Sequence, residues 1–106
     1  MEIAEVFLKT LLFQKKQLIE IEKSYPDIVK YPIDNNHFKI AAGWLIEKSG
    51  WKGKTFDNYG VHKKQALVLV NYGGAKGEEI NKLSNLIIKD IKSKFGILLE
   101  KEVNII

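Results

Sequence analysis

Two short stretches set polar side chains beside glycines: Gly50-Trp51-Lys52-Gly53-Lys54 and Gly60-Val61-His62-Lys63-Lys64-Gln65. Glycine lets backbone approach a ligand closely, and a lysine ammonium in such a place is a point charge for a phosphate oxygen. These stretches are the first candidates for binding. The two histidines, His37 and His62, have no ligand-spaced partners, and cysteine is absent. No metal site, thiolate nucleophile or disulfide framework is therefore expected. All seventeen basic residues are lysines. Base readout leans on arginine's bidentate fork, so the net charge of +4 points to a solvated lysine surface or to point contacts with phosphate, and not to nucleic acid.

The scaffold behind these stretches centres on a strand. Leu67-Val68-Leu69-Val70 is an unbroken apolar run before the turn Asn71-Tyr72-Gly73-Gly74, the pattern of a strand covered on both faces. Gly60 to His62 begins a strand that turns into it. Trp51, Lys52 and Phe56 fall in a loop or short edge strand. A helix is expected from Phe38 or Lys39 to Lys48, with Ile40, Trp44 and Leu45 inward and Gly50 as its stop. Gly43 within it costs about 1 kcal/mol against alanine, which suggests that another element crosses close by. Ile28 to Asn36 reads as a loop punctuated by Pro32.

After the glycine turn, Ile80, Leu83, Ile87, Ile91 and Phe95 keep a helical stripe. Glu78 and Glu79 suit its positive end, Lys92 and Lys94 its negative end, and Gly96 closes it. Residues 97 to 106 alternate as a strand in which Glu100 and Glu102 share one face, and pairing with the 65–71 strand is expected. Residues 2 to 23 contain no glycine or proline, and Ile3, Phe7, Leu11, Leu18 and Ile21 lie near one helical stripe, so one continuous helix is expected there. Its first half is apolar most of the way round. Val6, Leu8, Leu12 and Phe13 cannot all face one small core from a helix, which makes this half a candidate homodimer contact or a cover over the sheet.

At 106 residues the expectation is a single domain, 1–106, of α+β class: a two-layer sandwich of a small, mainly antiparallel sheet with about three helices packed on it. No apolar run approaches the roughly 20 residues needed to span a bilayer, and no signal-like N-terminus is present. The expected location is cytoplasmic, with no membrane partner.

Four segments, Ala41-Ala42-Gly43-Trp44-Leu45-Ile46-Glu47, Gly50-Trp51-Lys52-Gly53, Gly60 to Asn71 and the ending Leu99 to Ile106, resemble the C-terminal domain of the UDP-N-acetylenolpyruvoylglucosamine reductase (MurB) family. The resemblance runs from about Gln17 to the last residue. It implies a part in peptidoglycan synthesis, in which such enzymes reduce the enolpyruvyl group of a UDP-sugar to make UDP-N-acetylmuramate. NADPH reduces a bound FAD and the flavin passes a hydride to the substrate. In the family an N-terminal domain holds the FAD and the C-terminal domain closes over UDP-N-acetylglucosamine enolpyruvate, so no cofactor is expected of this chain alone.

Carried over position by position, Glu102 matches the family glutamate that stabilises the intermediate or delivers the proton. Lys52 matches a lysine that contacts the diphosphate, Gln65 a polar contact to the nucleotide end, and Tyr31 a tyrosine that covers the substrate in one branch. An ammonium suits a diphosphate, and a carboxyl near a developing carbanion needs a raised pKa to act as an acid.

The chain also departs from the pattern. The family segment Gly-Ser-x-Phe-Lys-Asn-Pro, whose serine is the proton donor, falls on Glu5, Val6, Phe7, Leu8, Lys9, Thr10 and Leu11. Val6 stands in the serine's place and cannot donate a proton. Lys101 stands where the family has proline, and Asp57 where it often has glycine. The expectation is a catalytically incomplete substrate-binding domain, excised or redesigned, with a natural degenerate paralogue as the rival. Two other functions stay open: a stand-alone folded module with no ligand, and a small basic nucleotide- or RNA-binding module. Weak UDP-sugar binding, no binding, and salt-sensitive RNA binding would tell the three apart.

Overall fold

The computed structural model describes residues 3–10 and 12–105. In chain order the elements are β1 (Ile3–Thr10), β2 (Leu12–Gln14), α1 (Lys15–Ser24), β3 (Lys30–Pro32), β4 (His37–Ile40), α2 (Ala42–Lys48), β5 (Thr55–Phe56), β6 (Tyr59–Val61), β7 (Val68–Asn71), α3 (Gly77–Phe95) and β8 (Leu99–Ile105). The strands form a five-stranded sheet in the order β5-β6-β7-β1-β8 and a three-stranded sheet in the order β2-β4-β3. Every pairing is antiparallel. The fold is α+β, as the alternation of patterns implies.

The N-terminal segment is a strand, not the first half of a helix over 2–23. Val6 pairs with Leu69 on one side and Val103 on the other, and Phe7 with Val68 and Glu102. Both edges of the segment are thereby satisfied by partners about 60 and 100 positions away, and that ladder outweighs its local helical spacing. Val6, Leu8 and Thr10 turn inward and are buried, while Glu5, Phe7 and Lys9 take the other face. The helix survives only as α1, which buries Leu18 and half-buries Ile21. Val6 and Leu8 lie in the core and Phe13 packs against it, so the apolar half of the expected helix is strand. Leu11 and Ile106, and the side chain of Leu12, lie outside the described residues.

The last strand also has a different neighbour from the expected one. β8 pairs with β1, and β1 separates it from β7. Since β1 is antiparallel to both, β7 and β8 point the same way, joined by α3 across an intervening strand in a split β-α-β arrangement. Residues 37–40 extend as β4 between β2 and β3, so α2 is shorter than expected and begins at Ala42. β3 lies inside the stretch read as a loop. An added Cβ at Gly43 would meet only the Leu67 side chain, at 3.7 Å, so no element crosses there closely enough to require glycine.

One face of the large sheet carries the core. Val6, Leu8, Val61, Leu69 and Leu99 meet Leu45 and Ile46 of α2 and Ile80, Ile87 and Ile91 of α3, all nearly or fully buried. Each such side chain contributes about 1.5–3 kcal/mol relative to leaving it in water. α3 follows its sequence signals: Glu78 and Glu79 open it, Lys92 and Lys94 close it, and Gly96 sits in the left-handed region with its N–H on the Lys92 carbonyl at 2.9 Å.

Candidate ligand-binding cleft

A cleft of about 710 Å³ opens where the C-terminal end of β1 meets the β3–β4 hairpin and the start of α2. β1 delivers Phe7 and Lys9 from its outward face. The hairpin brings Tyr31 and Lys39, which stand opposite each other across β3 and β4, and β8 adds Glu102. Thr10 ties the corner together: its buried hydroxyl donates to the Ile40 carbonyl at 2.5 Å. The lining therefore has an apolar floor with two lysines, two carboxylates (Glu47 and Glu102) and a phenol around it, the mix of apolar wall and few polar groups typical of small-molecule sites.

Of the four residues singled out in the sequence, Tyr31 and Glu102 line this one cleft. Tyr31 is more than half exposed. Lys52 stands just beyond the lining and reaches it through Glu47, whose Oε1 lies 3.2 Å from the Lys52 Nζ. Gln65 is outside the lining. Its side chain is exposed, and its peptide N–H donates to the His62 Nδ1 at 3.1 Å. The same nitrogen accepts the Lys64 N–H at 3.0 Å, so His62 caps its own loop.

Val6 contributes nothing to the cleft, because its side chain points into the core. Sequence reasoning passed over Lys9, whose Nζ lies 4.0 Å from the Glu102 carboxylate. The signal was present, since Lys9 holds the lysine position of the altered segment. Lys39 and Glu47 carried no such signal; only the β3–β4 hairpin and the turn of α2 bring them to the cleft.

Two charged clusters stand apart from the lining. Asp34 accepts the peptide N–H groups of Asn36 and His37 at 2.8 Å each and faces the His37 ring at 2.9 Å, and these contacts, led by the Asn36 N–H, hold its carboxyl below the usual range. That cluster shapes the β3–β4 loop. On the other side, the indole of Trp51 donates to Asp90. Among the described residues no group of three or more His, Cys, Asp or Glu side chains could hold a metal, and no helix is long and apolar enough to cross a membrane.

Gly60, in the stretch that leads to Gln65, serves the chain more than a ligand. A Cβ on Gly60 would lie 2.4 Å from the Lys54 carbonyl oxygen and 2.8 Å from the Thr55 Cα, so what approaches Gly60 is β5. Gly43, within the cleft wall, faces a side chain at ordinary contact distance and leaves no bare-backbone cradle.

Residues 12–106 match the family described as UDP-N-acetylenolpyruvoylglucosamine reductase, C-terminal domain. A reductase of that name from Flavobacterium johnsoniae is 46% identical over 100 residues, which cover 94% of this chain and 30% of the relative. The Pseudomonas aeruginosa protein of the same name is 44% identical over 99 residues, 93% of this chain and 29% of the relative. One from Bacteroides fragilis is 43% identical over 100 residues, again 94% and 30%. The chain spans under a third of the length of these relatives.

Proposed function

Because this chain belongs to the family of UDP-N-acetylenolpyruvoylglucosamine reductase C-terminal domains, we propose that it is the single domain that closes over a UDP-sugar in peptidoglycan precursor synthesis in the cytoplasm, and that it is catalytically incomplete by itself. The observation that carries this reading is the placement of Glu102, Lys9 and Tyr31 in one cleft. Lys52 at the rim takes the diphosphate as a point charge, and Lys9 and Lys39 add to the attraction for an anion. Tyr31 covers the sugar from the edge of the small sheet, and Gln65 reaches toward the nucleotide end.

Hydride transfer is the flavin's chemistry when it is bound. What this chain's residues do is bind, shield and handle a proton. Glu102 offers a carboxyl as proton donor or as a fixed negative charge, and the Lys9 ammonium stands 4.0 Å from it. The serine position supplies no second acid, since Val6 faces the core.

Titration of the full chain with UDP-N-acetylglucosamine, followed by amide chemical shifts, tests the reading. Shifts clustered at Lys9, Tyr31, Lys52, Gln65 and Glu102 are expected. An unchanged spectrum at millimolar ligand would overturn it, and equal shifts with RNA of any sequence would favour a basic nucleic-acid module instead.

A further inference from the structure

Of the charged side chains lining the cleft, Lys9, Lys39 and Glu102 have a use in that reading, and Glu47 has none. Its carboxylate is nevertheless placed where it matters, 3.2 Å from the Lys52 ammonium. We infer that Glu47 is an internal competitor for Lys52: its carboxylate holds the ammonium until a diphosphate takes its place, and so sets how tightly the cleft grips an anion. This rests on the reading that the UDP-sugar diphosphate binds at Lys52.

The alternative is that Glu47 positions Lys52, and the backbone argues against it. The loop carrying Lys52 is fixed without the Glu47 side chain. The Trp51 N–H donates to the Ile46 carbonyl at 3.2 Å, the Lys54 N–H to the Trp51 carbonyl at 3.1 Å, and the Trp51 indole to Asp90 at 2.8 Å. What Glu47 adds is a negative charge beside the place a phosphate oxygen would occupy. An arriving diphosphate must displace that carboxylate from Lys52 and then lie close to it, a like-charge contact. Both partners are solvent-accessible, Lys52 about one-third and Glu47 more than half exposed. The effect is therefore that of an exposed ion pair, about two- to five-fold in affinity and weakened by salt.

The test is the affinity of UDP for four forms of the full chain at low salt: wild type, Glu47→Gln, Lys52→Met and the double variant. Glu47→Gln is nearly isosteric, and its amide spectrum should match wild type away from the site. It should bind UDP about two- to five-fold more tightly, with the gain shrinking as salt is raised. Lys52→Met should bind more weakly, and in its background Glu47→Gln should give no gain. Unchanged or weaker binding in Glu47→Gln would overturn the inference, because Glu47 would then be neutral or a positioning group. An equal gain in the Lys52→Met background would also overturn it, since the effect would be a general field and not competition for Lys52. Failure of all four forms to bind UDP would remove the reading of Lys52 as a diphosphate contact, a result distinct from binding that ignores Glu47.

Discussion

The indole N–H of Trp51 donates to the Asp90 carboxylate at 2.8 Å, which pins the loop carrying Lys52 onto the long helix α3. Lys94 approaches the same carboxylate at 3.0 Å. The Trp51 hydrogen bond above all, with Lys94 behind it, holds the Asp90 carboxyl below its usual range. A depressed carboxyl stabilises the fold above its unfolded value of about 3.9, and that contribution is lost as pH falls through the lower folded value. Trp51→Phe should keep the aromatic body and cost about 1 kcal/mol at pH 7. In urea melts the gap between wild type and variant should narrow at the acid end, below about pH 3.9. A gap of constant size at both pH values would mean that no ionised carboxylate is involved.

Thr10 is the joint between the two sheets. Its hydroxyl is buried and donates to the Ile40 carbonyl 30 positions away. Thr10→Val keeps the shape and removes the donor, which should cost about 1–3 kcal/mol by leaving that carbonyl short of a partner. Thr10→Ser should recover most of it. Equal melting points for the valine and serine variants would assign Thr10 to packing alone.

The β5–β6 hairpin tests two backbone demands at once. Gly60→Ala would drive a Cβ into the backbone of Lys54 and Thr55, an overpacking that should cost about 1–3 kcal/mol and move the Lys52 loop. Asp57 sits at φ +54° in the turn, where aspartate is tolerated and glycine is at ease. This accounts for the family's frequent glycine at that position. Asp57→Ala should lose about 1 kcal/mol relative to Asp57→Gly. Thermal melts that rank alanine above glycine would show that the turn adopts another conformation in solution.

How much of this was readable in the sequence varied with how local the cause was. α3 and its Gly96 stop, the covered β7, and the Asn71 turn, in which the Asn71 side chain accepts from the Gly73 N–H at 2.9 Å, all follow from nearby residues. β1 does not. Ile3, Phe7 and Leu11 fit a helix, yet Val6, Leu8 and Thr10 inward against Glu5, Phe7 and Lys9 outward is an equally plain period of two. The lack of a helix breaker is compatible with either element. What decides between the periods is the pair of flanking strands, and those lie far along the chain. Glu102 and Tyr31 were found through family resemblance, while Lys39 and Glu47 became visible only once the hairpin and α2 were folded beside β1.

Val6 supports the last expectation, that this chain by itself reduces nothing. Proton delivery needs an acid within hydrogen-bond reach of the reacting carbon, and the side chain at position 6 is 1% exposed in the core, on a strand whose backbone pairs Val6 with Leu69 and Val103. Restoring serine there would not restore a donor. Val6→Ser should instead cost about 1–3 kcal/mol, since it removes buried apolar volume and buries a hydroxyl. Hydride transfer further needs a donor held about 3–3.5 Å from the accepting carbon, and the proposed reading gives this domain the substrate and not the flavin. With FAD, NADPH and the UDP-sugar supplied, NADPH oxidation should stay at the no-protein rate for wild type and Val6→Ser alike. Substrate-dependent oxidation above that rate, or a yellow preparation carrying one FAD per chain, would sink the expectation.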